Sequence, residues 1–157
     1  MKTLFYEDIE LANGSSIFLA GPTVRNGVYE KSWRKYAVEC LKRAGFDGTV
    51  YIPESKIKTE QMLDYGYYPN WELERLDSSD MIIFWIPRKL PKMPAFTTNV
   101  EFGRYVSINP NKVVLGYPVD SEKNRYLRLL YNRLTYSEVT TNLKDTVKAA
   151  LDKMKIN

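Results

Sequence analysis

Four short apolar runs, each closed by proline or glycine and separated by stretches of helical rhythm, leave this 157-residue chain few ways to fold. Ser16-Ile17-Phe18-Leu19-Ala20 stops at Gly21-Pro22, and Thr49-Val50-Tyr51-Ile52 stops at Pro53-Glu54. Met81 to Ile86 stops at Pro87-Arg88, and Lys112-Val113-Val114-Leu115-Gly116-Tyr117 stops at Pro118. Such runs read as strands, and the helical stretches between them carry the chain back to a common starting edge. The pattern therefore predicts an α/β fold with a parallel sheet whose strand exits all lie on one side.

The intervening helices follow from periodicity. Lys31 to Ala44 carries Trp33, Tyr36, Ala37, Cys40, Leu41 and Ala44 at 3.6-residue spacing, with Gly45 as the stop. A second helix is expected near Pro69-Asn70, with Asn70 as cap and Leu73 and Leu76 facing inward. A third runs from about Thr98 to Ile108, ending before Asn109-Pro110. Glu122 to Leu134 has Tyr126, Leu127, Leu130 and Tyr131 on its apolar side, Leu134 to Val139 reads as a short fifth strand, and a last helix spans Asn142 to Met154. The residues before Asn13-Gly14 read as a small strand paired through that turn. Ser55 to Tyr68 is long for a connection, and its Tyr65-Gly66-Tyr67-Tyr68 either covers a planar ligand or lies on the neighbouring surface.

Composition narrows the chemistry. A hydrophobic content of 44% in 157 residues suits one domain built around one sheet. The absence of histidine removes Ser-His-Asp and Cys-His catalysis and His-ligated zinc, so proton transfer falls to carboxylates, tyrosines or lysines. Cys40 is the only cysteine and reads as a core residue, which excludes disulfides within the chain and Cys-cluster metal sites. No run of about 18 apolar residues occurs and the first residues lack a signal-peptide core, so a cytoplasmic protein that neither spans nor binds a membrane is expected. The net charge of +4 is dispersed, which argues against a nucleic-acid polymer as partner and suits a small anionic ligand.

Chemistry concentrates at Thr97-Thr98-Asn99-Val100-Glu101-Phe102-Gly103. Glu101 at the start of a helix following the Met81 to Ile86 strand would stand at the carboxyl edge of the sheet, kept ionised by the helix amino terminus. Thr98-x-x-Glu101 also spells a capping box, a purely structural role. Glu72, in the first turn of the preceding helix, can supply a second acid, one carboxyl acting as nucleophile and the other as proton donor. Its structural alternative is a helix-start acid favouring the macrodipole, and Asp77 and Asp80 read as polar residues in the turn before a buried strand.

Six segments in order resemble the nucleoside 2-deoxyribosyltransferase-like family. They are Ser16 to Pro22, Ser32-Trp33-Arg34, Gly48 to Glu54, Trp71-Glu72, Asp80 to Pro87 and Thr97 to Gly103, within a resemblance covering about Ser15 to Pro118. The resemblance implies a flavodoxin-like (Rossmann-like) parallel sheet of about five strands with helices on both faces. It also implies cleavage of the N-glycosidic bond of a nucleoside or nucleotide, without metal or organic cofactor. By that likeness Glu101 corresponds to the nucleophile that forms a glycosyl-enzyme ester. Glu72 falls where the transferases have an aspartate associated with protonating the departing base. Gly21, Pro22, Trp33, Arg34, Trp71, Asp80, Thr98 and Asn99 are the candidates for contact with substrate; Trp33 and Trp71 either stack on a base or fill the core. Arg25, Arg34 and Arg88 are candidates to hold a 5'-phosphate. Such sites are often completed in a homo-oligomer by a neighbouring subunit, with Asn124 and Tyr126 the residues here. Pro94-Ala95-Phe96-Thr97-Thr98 lacks the acid the transferases place before the nucleophile, so a deoxyribose preference does not carry over. Two other classes compete: a nucleotide sensor of the same fold without turnover, and a flavin protein, which the lack of a Ser/Thr/Gly-rich loop after Ala20 disfavours.

Overall fold

The computed structural model describes residues 1–23, 32–56 and 67–156. Five parallel strands form one sheet in the order β1-β3-β2-β4-β5: β1 (Lys2–Leu4), β2 (Ser16–Ala20), β3 (Thr49–Tyr51), β4 (Met81–Trp85) and β5 (Val113–Gly116). Five α-helices accompany them: α1 (Trp33–Arg43), α2 (Tyr67–Ser78), α3 (Phe96–Ile108), α4 (Arg125–Thr135) and α5 (Leu143–Ile156). This is the architecture of a flavodoxin-like α/β fold: the apolar runs predict its parallel sheet, and the family resemblance its flavodoxin-like form.

The pleat of the two central strands explains the two cores. Phe18, Ala20, Ile82 and Phe84 pack on one side with Trp71 and Leu76 of α2, Phe102 and Tyr105 of α3, and Leu127 and Tyr131 of α4. Ile17, Leu19, Ile83 and Trp85 pack on the other with Ala37, Cys40 and Leu41 of α1 and Leu143, Val147 and Ala150 of α5. Every residue of β2 and β4 is buried, so strands covered on both faces show no polar alternation. The chain leaves β2 toward β3 on one side and reaches β4 on the other. The β2/β4 boundary is therefore the point where strand order reverses, and it opens at the carboxyl edge.

Several local expectations are corrected. The amino-terminal strand is not a hairpin partner of β2 across Asn13-Gly14; Lys2, Thr3 and Leu4 pair in parallel with Thr49, Val50 and Tyr51 at the sheet edge. Asn70 is not a cap, because α2 already begins at Tyr67 and includes Pro69 in its first turn, where a missing N–H costs nothing. Leu73 of that helix is 38% exposed. The stretch after Leu134 is not a fifth strand: α4 continues to Thr135, Tyr136 turns the chain with φ 54°, and only a single bridge joins Thr140 to Gly116. Tyr36 and Tyr126 lie outside the apolar faces assigned to them, 47% and 72% exposed. Tyrosine satisfies an apolar pattern in sequence yet tolerates the surface through its hydroxyl. Among the described residues no helix is long and apolar enough to cross a membrane.

Candidate active site

The floor of the site is built where β2 ends. Gly21 adopts φ 154°, and a Cβ there would stand 2.1 Å from the Trp85 carbonyl oxygen and 2.8 Å from the Trp33 ring. Only a residue without a side chain lets the β2 and β4 exits approach this closely. Gly21→Ala is expected to cost about 3 kcal/mol or more, lowering Tm by roughly 6–12 °C, because a backbone carbonyl cannot step aside. Thermal denaturation followed by circular dichroism measures it. The Trp33 indole N–H donates to the Pro22 carbonyl at 3.2 Å, tying α1 to the same turn.

Arg34, in the first turn of α1, is 1% exposed. Its Nε donates to the Leu19 carbonyl at 3.0 Å and its Nη2 to the Gly21 carbonyl at 2.5 Å. Its Nη1 donates to Thr23 Oγ1 at 3.1 Å and forms an ion pair with Glu54 at 2.8 Å. A guanidinium committed to two main-chain carbonyls and a carboxylate is a fixed charge in the wall of the site. It is not an open phosphate clamp.

The carboxylate pair lies within electrostatic reach of Arg34. Glu72 of α2 and Glu101 of α3 are hydrogen bonded to each other, and the Tyr6 hydroxyl donates to Glu72 Oε1. Burial, the Glu72 charge and that hydrogen bond together push the Glu101 pKa up to about 8, against the opposing pull of Arg34. The expectation that a helix amino terminus keeps Glu101 ionised is thereby reversed. The physical reason is twofold: α3 starts at Phe96, so Glu101 lies beyond the first turn where the dipole acts, and a like charge sits beside it in a half-buried place. Tyr6 is raised well above the usual tyrosine range, first by burial and then by Glu72, and stays a neutral donor. The pair is best described as two carboxylates holding one proton between them near neutrality.

The capping box does not form. Ala95, in the left-handed region at φ 56°, precedes the helix, no side chain caps it, and Thr98 is buried inside the first turn. Glu101 is thus free of the backbone role that competed for it.

The remaining candidates separate cleanly. Trp71 is core: 3% exposed, its indole N–H donating to the Asp8 carbonyl at 2.9 Å, its ring edge-on to Tyr6 and Tyr51. It acts by positioning Tyr6. Asp80 stands at the amino end of β4, where it accepts from the Ser16 amide and hydroxyl at 2.7 and 2.9 Å, so it locks β2 to β4 at the edge opposite the carboxylates. It is removed from the substrate candidates. Asn99 accepts from Arg88 Nη2. Asn124 is buried in its own chain, donating to Ser121 Oγ at 2.6 Å, while Tyr126 points outward. Arg25 and the Tyr65-Gly66 part of the aromatic cluster lie outside the described residues; Tyr67 donates its hydroxyl to the Tyr6 carbonyl at 2.7 Å. Among the described residues no group of three or more His, Cys, Asp or Glu side chains is placed to hold a metal ion.

Tyr6 and Glu54 are the site residues that sequence reasoning missed. Glu54 carried a usable signal, as an acid directly after the Pro53 strand stop. Tyr6 carried none, because its role depends on β1 lying at the sheet edge beside β3.

The fold is thus a flavodoxin-like sheet in which Glu72 and Glu101 stand hydrogen bonded to each other. Residues 14–118 match the model of the family described as nucleoside 2-deoxyribosyltransferase like, and the chain belongs to that family. No curated protein matches it.

Proposed function

We propose that this chain breaks the N-glycosidic bond of a nucleoside or nucleotide through a covalent bond between Glu101 and the sugar. The observation that carries this reading is the half-buried Glu72–Glu101 pair, which holds one proton beside a fixed guanidinium. One carboxyl in such a pair is a nucleophile and the other an acid, which is the equipment required to exchange one substituent of an anomeric carbon for another.

The steps balance. The proton held on Glu101 in the resting pair passes to Glu72 along the hydrogen bond between them; ionised Glu101 then attacks the anomeric carbon as the bond to the base nitrogen breaks, and the Glu72 proton passes to the departing base. A second base or a water molecule then attacks the same carbon and releases the ester. Its proton returns to Glu72 and Glu101 is regenerated. Tyr6, neutral throughout, orients Glu72 through its hydroxyl, and Arg34 offsets the negative charge of Glu101 before attack.

Incubation with deoxynucleosides, ribonucleosides and their monophosphates, with free base measured by chromatography, tests the proposal. Base release supports it, and a second base supplied in excess separates transfer from hydrolysis by the appearance of a new nucleoside. Binding of these compounds with no base released from any would overturn it in favour of a sensor.

A further inference from the structure

Arg88 is a charge that the reaction above leaves unused. It follows Ile86-Pro87 at the exit of β4 and is 4% exposed. Nη1 donates to the Lys123 carbonyl at 2.8 Å and Nη2 to Asn99 Oδ1, while Nε has no partner among the described residues. Burial lowers its pKa, and among the described residues no ion pair joins it to a carboxylate; its guanidinium meets only the Lys123 carbonyl and Asn99 Oδ1. Buried charges are costly unless paired. This one is met by neutral acceptors only, and its unpartnered Nε is itself shielded from solvent.

The place it occupies adds a second positive feature. Asn99 belongs to the first turn of α3, a helix of 13 residues that no side chain caps. The first intrahelical bond runs from the Asn99 amide to the Ala95 carbonyl at 3.1 Å, so the amides of Phe96, Thr97 and Thr98 have no acceptor within the helix. Free amides at a helix amino terminus beside an uncompensated guanidinium make a site for a tetrahedral oxyanion. Asn124 Oδ1, on the loop stitched to Arg88 through Ser121, is buried without a partner and offers an acceptor to a neighbouring hydroxyl.

Resting on the function proposed above, we infer that Arg88, Asn99 and the uncapped first turn of α3 hold a phosphate monoester, making the substrate a nucleoside 5'-monophosphate. Asn99 and Glu101 leave α3 two residues apart, about 3 Å along its axis and on different flanks. A sugar phosphate lying across the amino end of the helix meets Glu101 with its anomeric carbon and Arg88 with its phosphate.

The test compares kcat/KM for a nucleoside 5'-monophosphate and the matching nucleoside in the wild type, Arg88→Met and Arg88→Lys. Charge-assisted contacts of this kind correspond to roughly 10- to 150-fold. The wild type is expected to prefer the monophosphate by that margin. Arg88→Met should lower the ratio at least about tenfold, with Arg88→Lys between the two. A readout independent of turnover is the thermal shift produced by inorganic phosphate at constant ionic strength, expected in the wild type and lost in Arg88→Met. If Arg88→Met does not fold, a weakened phosphate shift in Arg88→Lys carries the proposal, and an undiminished one overturns it. Equal use of nucleoside and monophosphate would also overturn it, as would a phosphate shift that survives Arg88→Met. So would a change in sedimentation with the phosphate shift intact, which would assign Arg88 to contact with a second copy. A phosphate shift dependent on Arg88 without base release from any substrate would keep this site and sink the reaction instead.

Discussion

Glu101→Gln is expected to lower base release by roughly 10³- to 10⁵-fold while leaving the fold intact. The amide keeps the shape of the carboxyl and can still hydrogen bond to Glu72, but it cannot form the ester with the sugar. Folding is expected to survive because the carboxylate is held in place against burial and a like charge, and a neutral side chain removes both penalties. Rates measured by chromatography of free base, beside circular dichroism of both proteins, check the two halves together. A variant releasing base at the wild-type rate would mean that Glu101 is not the group that attacks the sugar.

The second large effect is on stability as a function of pH. Between the ordinary carboxylate value of 4.5 and about 8, the folded chain retains a proton at Glu101 that the unfolded chain has released. A raised carboxylate pKa contributes stability that is fully present below 4.5 and is lost as pH rises through about 8. The wild type should therefore lose of order 5 kcal/mol across that window, a fall in Tm of roughly 10–20 °C, and Glu101→Gln should flatten the dependence. Denaturation curves at pH 5, 6.5 and 8 measure it; a stability that rises over this range in the wild type would contradict the shared proton. The same titration governs rate. Once the pair loses its last proton no acid remains for the departing base, so kcat/KM should decline above about pH 8. Glu72→Gln, which cannot donate that proton, should be slower by roughly 10²- to 10⁴-fold and should lack the alkaline decline.

What could be read before the structure depended on whether the signal was local. The Pro- and Gly-terminated runs at Ala20, Ile52, Ile86 and Tyr117 mark the exits of β2, β3, β4 and β5, because a strand buried on both faces must be apolar throughout and must stop where the backbone turns. Leu41 and Leu76 declare their buried faces through helical spacing. Tyr36 and Tyr126 mislead by the same rule, since a ring that counts as apolar in a pattern is equally at home with its hydroxyl in water. The Thr98-x-x-Glu101 spacing is a true cap signature placed two residues inside the helix. Ala95 in the left-handed region moves the helix start, and no local pattern announces an alanine there.

The amino-acid sequence alone determined the α/β architecture, the position of the strand exits and the restriction of proton transfer to residues other than histidine. Each of these depends on composition or on neighbours within a few residues. Tertiary structure alone decided which charges meet. Glu72 and Glu101 share a proton because α2 and α3 stand side by side, Tyr6 reaches Glu72 because β1 lies beside β3, and Arg34 is spent on the β2 exit while Arg88 is buried without an anionic partner among the described residues. Those pairings join residues 13 to 66 positions apart, and a side chain's charge and pKa are set by what surrounds it in space, which sequence spacing does not encode.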